Sequence, residues 1–401
     1  MATEVRLKNT GLRGVKVADT KISYIDGENG ILIYRGYRIE ELAERATFME
    51  VAHLLLDGTL PTKAQLAQFN RQALAARQVP EFIHDTFRRL PPKAAPMDVL
   101  QATVPLLGLA DPELLLETKE ANLRKAIRLI ARLPAVVAAW HRIRNGCEPL
   151  PADDSLSHAA NFLWQLTGRK PDEAMARKLD VCLVLHADHT FNASTFACRE
   201  VVSTQAHLYA GVAAGIGALS GSLHGGANAR VMQMLEQIEA EVASPDEVAA
   251  WVKQRLAKGE KIMGMGHAVY KTVDPRSVIL KKMSLELGRQ TGHENWYHLL
   301  TRIDEVAERE FARMGKAGIK SNVDFYSGSV YSMMGIPIDL MTPIFAISRV
   351  SGWCAHIIEE KFGEAQGKPA LYRPSAEYVG DYCGPIGCVF QPLDERQTAT
   401  A

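Results

Sequence analysis

No charge of either sign predominates in this chain: 46 Lys and Arg stand against 46 Asp and Glu, a formal net charge of zero. That balance argues against electrostatically driven binding to nucleic acid or a membrane surface, which needs a clustered basic excess to displace counterions. Cysteine is sparse, and none of the six (Cys147, Cys182, Cys198, Cys354, Cys383, Cys388) stands in a Cys-x-x-Cys pair. They read as reduced thiols, several of them in apolar helical stretches where cysteine behaves as a small hydrophobe. An apolar N-terminal segment is also lacking, because MATEVRLKNTGLRG carries charges. No secretory signal is expected, and the cytoplasm is the default location. A Gly-x-Ser-x-Gly elbow, a His-Glu-x-x-His pair and a Walker A loop are absent, and there is no repeat or low-complexity tract.

One absence needs care. Residues 201–229 contain no Asp, Glu, Lys or Arg, and a membrane span needs only about 20 apolar residues. A span is rejected here. The stretch holds Ser203, Thr204, Gln205, His207, Ser220, Ser222 and His224, and its apolar content is mostly Ala and Gly. A buried helix fits better, with Gly211 and Gly215, and Gly217 and Gly221, spaced to let another helix approach closely.

At 47% hydrophobic and 23% charged, the 401 residues can bury a large core. The first 38 are β-branched and aromatic, with Asp26-Gly27 and Asn29-Gly30 as turn dipeptides, and predict a short N-terminal β-hairpin region. From Ile39 onward apolar residues recur at three and four spacing, as in 39–58, 64–78 and 121–146, so the chain is mainly α. A helix start is marked at Ser244, Pro245 and Glu247, with Gly259 as the stop. Between about Gly226 and Gly335 the chain is more polar than on either side. The division expected is a large helical domain over 1–225 and 336–401, with a smaller helical domain, 226–335, inserted into it.

Chemistry is suggested at four places. HADH (186–189) puts two imidazoles and a carboxylate within one helical turn, but no third cluster with ligand spacing follows, so no metal is expected. GSLHGGAN (221–228) sets His224 among glycines at the end of an apolar helix, which suits either close approach of a ligand or mere helix-end geometry. GMGHAVYKTVDPR (264–276) places His267, Lys271 and Arg276 along a glycine-opened loop. Such a loop either presents backbone, phosphate-binding and carboxylate-binding groups or is an ordinary charged surface loop. SNVDFYSG (321–328) sets Asp324 in an apolar, aromatic run, as a cap or as a base tuned by burial.

Together with YRGYRIEELA (34–43), LHADHTFNASTF (185–196), Arg349 and YRP (372–374), these segments resemble the citrate synthase family in the right order over nearly the whole chain. The resemblance implies a condensation of acetyl-CoA with oxaloacetate, followed by thioester hydrolysis. By carry-over Asp324 takes a proton from the acetyl methyl group, neutral His224 donates to the thioester oxygen, and His267 polarises the ketone. His189, Arg276, Arg349 and Arg373 would bind oxaloacetate, with Arg373 contributed across a homodimer interface. Lys271 would meet a coenzyme A phosphate, and the backbone of Lys261, Ile262, Gly264, Gly266 and Ala268 its adenine. Coenzyme A enters as a cosubstrate, with no permanently bound cofactor, metal, nucleic acid or membrane partner. The rivals are 2-methylcitrate synthase, which would use propionyl-CoA and differs by one methylene, and a catalytically idle homologue with a structural or regulatory role.

Overall fold

The computed structural model describes residues 11–12, 14–242, 245–380, 384–385 and 387–396. Its only sheet among these residues is antiparallel, in the order β1 (Ser23–Asp26), β2 (Ile31–Tyr34), β3 (Tyr37–Arg38), with Tyr24 opposite Ile33 and Ile33 opposite Arg38. The β1–β2 turn is built by Asp26, whose Oδ1 accepts the N–H groups of Glu28 and Asn29 at 3.1 Å each while Oδ2 takes the Asn29 amide at 2.7 Å. An aspartate that bonds its own turn in this way stiffens it.

Sixteen α-helices follow among the described residues: α1 (Ile39–Arg45), α2 (Phe48–Asp57), α3 (Lys63–Ala76), α4 (Glu81–Arg89), α5 (Pro96–Leu109), α6 (Lys119–Arg144), α7 (His158–Thr167), α8 (Glu173–His186), α9 (Ala193–Ser203), α10 (Leu208–Ser220), α11 (Ala227–Glu241), α12 (Pro245–Ala257), α13 (Pro275–Thr291), α14 (Glu294–Arg313), α15 (Val323–Met333) and α16 (Met341–Phe362). The periodic stretch 39–58 is realised as two helices. A capping box at Thr47 and Glu50 starts α2 afresh, with the Thr47 N–H donating to the Glu50 carboxylate at 2.7 Å. The cap expected at Ser244 lies outside the described residues.

The charge-free stretch 201–229 is divided among the end of α9, all of α10 and the start of α11, and no helix of the described residues is long and apolar enough to cross a membrane. Its glycines serve packing. A Cβ on Gly211 would stand 2.7 Å from Val202 in α9 and 2.9 Å from Ile357 in α16, and one on Gly215 would stand 3.2 Å from the Trp353 ring. Close approach therefore requires glycine at both positions. Helix α16 lies in the middle, against α2, α6, α8, α9 and α10, and is buried almost throughout. A helix apolar on every side belongs inside a core, and α16 carries Arg349, His356, Glu359 and Glu360 into it. Helices α11 to α15 pack chiefly on one another, with α13 also touching α1 and α8.

Cys147, Cys182, Cys198 and Cys354 are free, as expected, but Cys388 is disulfide-bonded. The reading of all six as reduced thiols is corrected there: pair spacing within a motif does not reveal a bond made in an extended C-terminal segment.

Candidate active site

The three helix ends and the loop singled out in the sequence converge on one cavity of about 550 Å³, lined by His189, His224, His267, Ala268, Arg276, Asp324 and Arg349 among others. A larger cavity, about 640 Å³, is lined by His141, Arg142, Cys147 and Met333 among others and holds none of the predicted site residues. Size alone does not locate the chemistry.

Each histidine is held by local backbone. His224 follows the end of α10, and its Nε2 accepts the Ser194 N–H at 3.2 Å, with Ser194 Oγ at 2.9 Å. An amide N–H can only donate, so Nε2 carries no proton and the neutral ring keeps its hydrogen on Nδ1. His267 shows the opposite tautomer. Its Nδ1 accepts the N–H groups of Val269 and Tyr270 at 2.9 and 3.2 Å, leaving Nε2 protonated. Burial, then Arg349, holds the His224 pKa down at about 4; burial, then Arg276, does the same for His267. Both rings are therefore neutral hydrogen-bond donors at neutral pH.

His189 is buried, with its Nε2 3.3 Å from the Tyr270 hydroxyl and its ring edge-on to His267 at 5.2 Å. The following residue, Thr190, has φ 45°, which a β-branched side chain rarely adopts. It is held there because its N–H donates to Ser23 Oγ and Asp188 Oδ2 at 3.1 and 3.0 Å. The N-terminal sheet thus reaches into the site through Ser23.

Asp324 sits in the first turn of α15, which Asn322 caps by accepting the Asp324 N–H at 2.9 Å. The cap and the tuned base, alternatives in the sequence, are two different residues. Burial raises the Asp324 pKa to about 6 against the pull of Arg276. Its carboxyl has no hydrogen-bond partner among the described residues, as a base awaiting a proton should not.

Two arginines carry charge into this pocket, both almost fully buried. Arg276 grips Asp274 through Nε and Nη2 at 3.0 and 2.7 Å. Arg349 donates Nε to the His186 carbonyl at 2.7 Å and lies 4.6 Å over the Phe345 ring, with no carboxylate ion-paired to it among the described residues. Burial lowers its pKa to about 10, although Asp188 opposes this. A buried cation facing an open cavity without a counter-ion is a site for an anion.

The other predicted residues lie at the rim or beyond. Arg373 is exposed and does not line this chain's cavity, although the preceding Tyr372 is anchored: its hydroxyl donates to Glu360 at 2.9 Å, and Glu360 pairs with buried Arg199 at 2.6 Å. Lys271 is exposed and ion-paired with Glu28. Lys261 is exposed, and Ile262 turns its side chain into the core. The Gly264 carbonyl accepts the Asn322 N–H at 3.0 Å, and the Gly266 N–H donates to the Lys320 carbonyl at 2.8 Å, so these groups are engaged within the protein. Sequence reasoning assigned no role to Ser194, Asp274, Asn322 or Tyr270. The signals for two of them were visible as the Asp and Asn caps of α13 and α15. Among the described residues no group of three or more His, Cys, Asp or Glu could hold a metal ion.

The family model "Citrate synthase, C-terminal domain" matches residues 11–375. The chain is 42% identical to the citrate synthase of Synechocystis sp., over 100% of this chain and 97% of that one, and 44% identical to that of Haloferax volcanii, over 96% and 98%. The 2-methylcitrate synthase of Mycobacterium tuberculosis is 39% identical over 92% of this chain and 90% of its own. In structure, the citrate synthase of Pyrobaculum aerophilum superposes with a TM-score of 0.87 at 38% identity, covering 98% and 100% of the two chains. That of Thermoplasma acidophilum, solved as a ternary complex with carboxymethyl coenzyme A and oxaloacetate, gives 0.85 at 32%, covering 96% and 98%.

Proposed function

This chain belongs to the citrate synthase family, an acyltransferase type that condenses acetyl-CoA with oxaloacetate, and we propose that His224, His267 and Asp324 carry out that reaction in the shared cavity. Asp324 removes a proton from the acetyl methyl group, and the C–H electron pair moves into the enolate. His224 donates its Nδ1 hydrogen to the thioester oxygen, where the charge develops. The new carbanion equivalent attacks the oxaloacetate ketone, whose oxygen takes a proton from His267 Nε2. Water then cleaves the thioester, releasing citrate and the free thiol of coenzyme A. A base of this kind is worth roughly 10² to 10⁴ in rate, and an oxyanion donor roughly 10² to 10³.

The observation that carries this reading is the pair of opposite tautomers. Two neutral imidazoles, each with its acceptor nitrogen capped by backbone amides, offer their hydrogens to two different oxygens. Arg349 and Arg276 take the oxaloacetate carboxylates, with His189 beside them. Arg373, exposed beyond the anchored Tyr372, serves the partner subunit's site in a homodimer. Support for a second copy comes from the exposed apolar residues that follow: Tyr378, Val379, Val389 and Phe390. Lys271 and the 261–268 backbone face coenzyme A, and residues 226–335 form the smaller domain that closes over bound oxaloacetate and excludes water.

The test is free-thiol release from acetyl-CoA and from propionyl-CoA, each with and without oxaloacetate. Oxaloacetate-dependent release from acetyl-CoA is expected, faster than from propionyl-CoA. The reverse order would make the chain a 2-methylcitrate synthase. Equal coenzyme affinity with and without oxaloacetate would remove the closure step.

A further inference from the structure

The β1–β2 turn makes a contact that the reaction scheme leaves unused. A Cβ built on Gly27 would overlap the Val269 carbonyl oxygen and stand 2.9 Å from its carbon. The Lys271 N–H donates to the Gly27 carbonyl at 2.9 Å, and Lys271 Nζ pairs with Glu28. Gly30 approaches the same loop, 3.0 Å from Val273 O and Thr272 Cγ2 by the same construction. Asp26 stiffens the turn from within. The loop residues seated on this turn are those whose amides define His267: Val269 and Tyr270 supply both N–H groups to its Nδ1.

Gly30 has φ +66°, so the turn itself asks for glycine there, whereas Gly27 lies outside the left-handed region. Its backbone would accept alanine. What Gly27 cannot accept is a side chain between the turn and Val269. From this we infer that the β1–β2 turn is the seat on which the His267 loop docks, and that Gly27 is a positioning residue for His267. The inference rests on the role given above to His267. Docking joins the N-terminal sheet to the segment that leads into α13, two parts of the chain some 240 residues apart. It sets the direction of the Nε2 hydrogen by fixing the two amides behind the ring. Misplacement of a catalytic group by about 1 Å can cost on the order of 10²-fold.

The experiment follows backbone hydrogen exchange at Lys271 together with steady-state kinetics in Gly27→Ala. Exchange at Lys271 should accelerate at least tenfold while the amides of Tyr24 and Ile33, paired across the sheet, keep their protection. The kcat/KM for oxaloacetate should fall ten- to a hundredfold with the thermal midpoint nearly unchanged. Unaltered exchange at Lys271, or unaltered kcat/KM, would overturn the inference. Should alanine loosen the sheet as well, the wild-type protein decides: oxaloacetate must slow exchange at Lys271, and no response sinks the proposal. His267→Gln, assayed separately, tests the role of the histidine itself. Full turnover there would refute that role, while the docking of the loop is still read from the Lys271 amide.

Discussion

The side-chain amide of Asn322 donates to the Gly266 carbonyl oxygen at 2.8 Å. One residue after Gly266 stands His267, and two after Asn322 stands Asp324, so this bond, with the backbone bonds from Gly266 to Lys320 and from Asn322 to Gly264, helps set the separation between the proposed acid and the proposed base. Gly264 helps, because a Cβ there would meet Phe325 Cα at 2.8 Å and push the loop off α15. The two groups are far apart in the chain yet are placed by backbone contacts, which are stiffer than long side chains.

Replacing Asn322 by Asp separates its two duties. The carboxylate still caps α15 through the Asp324 N–H, but it faces the Gly266 carbonyl with an acceptor instead of a donor. Thermal stability should fall by no more than about 1 kcal/mol, the size of a cap contribution, while kcat drops at least tenfold. Asn322→Ala should lose both. Equal kcat in wild type and Asn322→Asp would show that the tie to Gly266 does not matter for turnover.

Asp324→Asn should reduce oxaloacetate-dependent thiol release at least a hundredfold and at the same time stabilise the fold. The carboxyl is raised from its ordinary value to about 6 by burial. Between those two values the unfolded chain ionises while the folded one holds its proton, so stability is lost as pH rises and stays lost above about 6. The amide avoids this, and a gain of roughly 1 kcal/mol is expected at pH 7 after allowance for partial solvent access. Denaturant melts at pH 4 and pH 7 check the sign: the gain should be near zero at the lower pH.

The acid limb of the rate profile should belong to Asp324 alone. His224 and His267 are both held near 4 by burial and neighbouring arginines, and remain neutral where the aspartate titrates. The kcat/KM for acetyl-CoA at saturating oxaloacetate should therefore fall about tenfold per pH unit below roughly pH 6. A limb centred near 4 would place the aspartate in a more solvated setting than the cavity suggests.

Gly352→Ala should impair oxaloacetate binding through packing alone. A Cβ at this point of α16 would lie 2.5 Å from Asp188 Oδ1 and closer still to the Ala187 carbonyl. It would press α16, with Arg349, away from the turn that carries His189. Overpacking of this kind costs about 1 to 3 kcal/mol, and the KM for oxaloacetate should rise more than the KM for acetyl-CoA, as measured by varying each at saturation of the other.

Much of this site was legible before folding was considered. The glycines around His224, the loop of His267 and the apolar setting of Asp324 each stood out, because exposure, turn formation and helix capping depend on residues within a few positions of one another. The break at Thr47 was written in the same local code, yet periodicity alone passed over it. The disulfide of Cys388 was not legible, since no Cys-x-x-Cys spacing marks it and every cysteine reads as reduced in the sequence.

Sequence alone determined the helical class and the sheet at the N-terminus, and it nominated the candidate acid, imidazoles and guanidinium groups that the structure brings to one cavity. Only the tertiary structure decided their states. Which nitrogen of each histidine bears hydrogen follows from amides at 194, 269 and 270, and the elevated Asp324 pKa follows from burial beneath elements drawn from distant parts of the chain. Hydrogen-bond geometry and desolvation are properties of a local volume, and that volume exists only once α10, α15, α16 and the Gly264–Arg276 loop have closed around it.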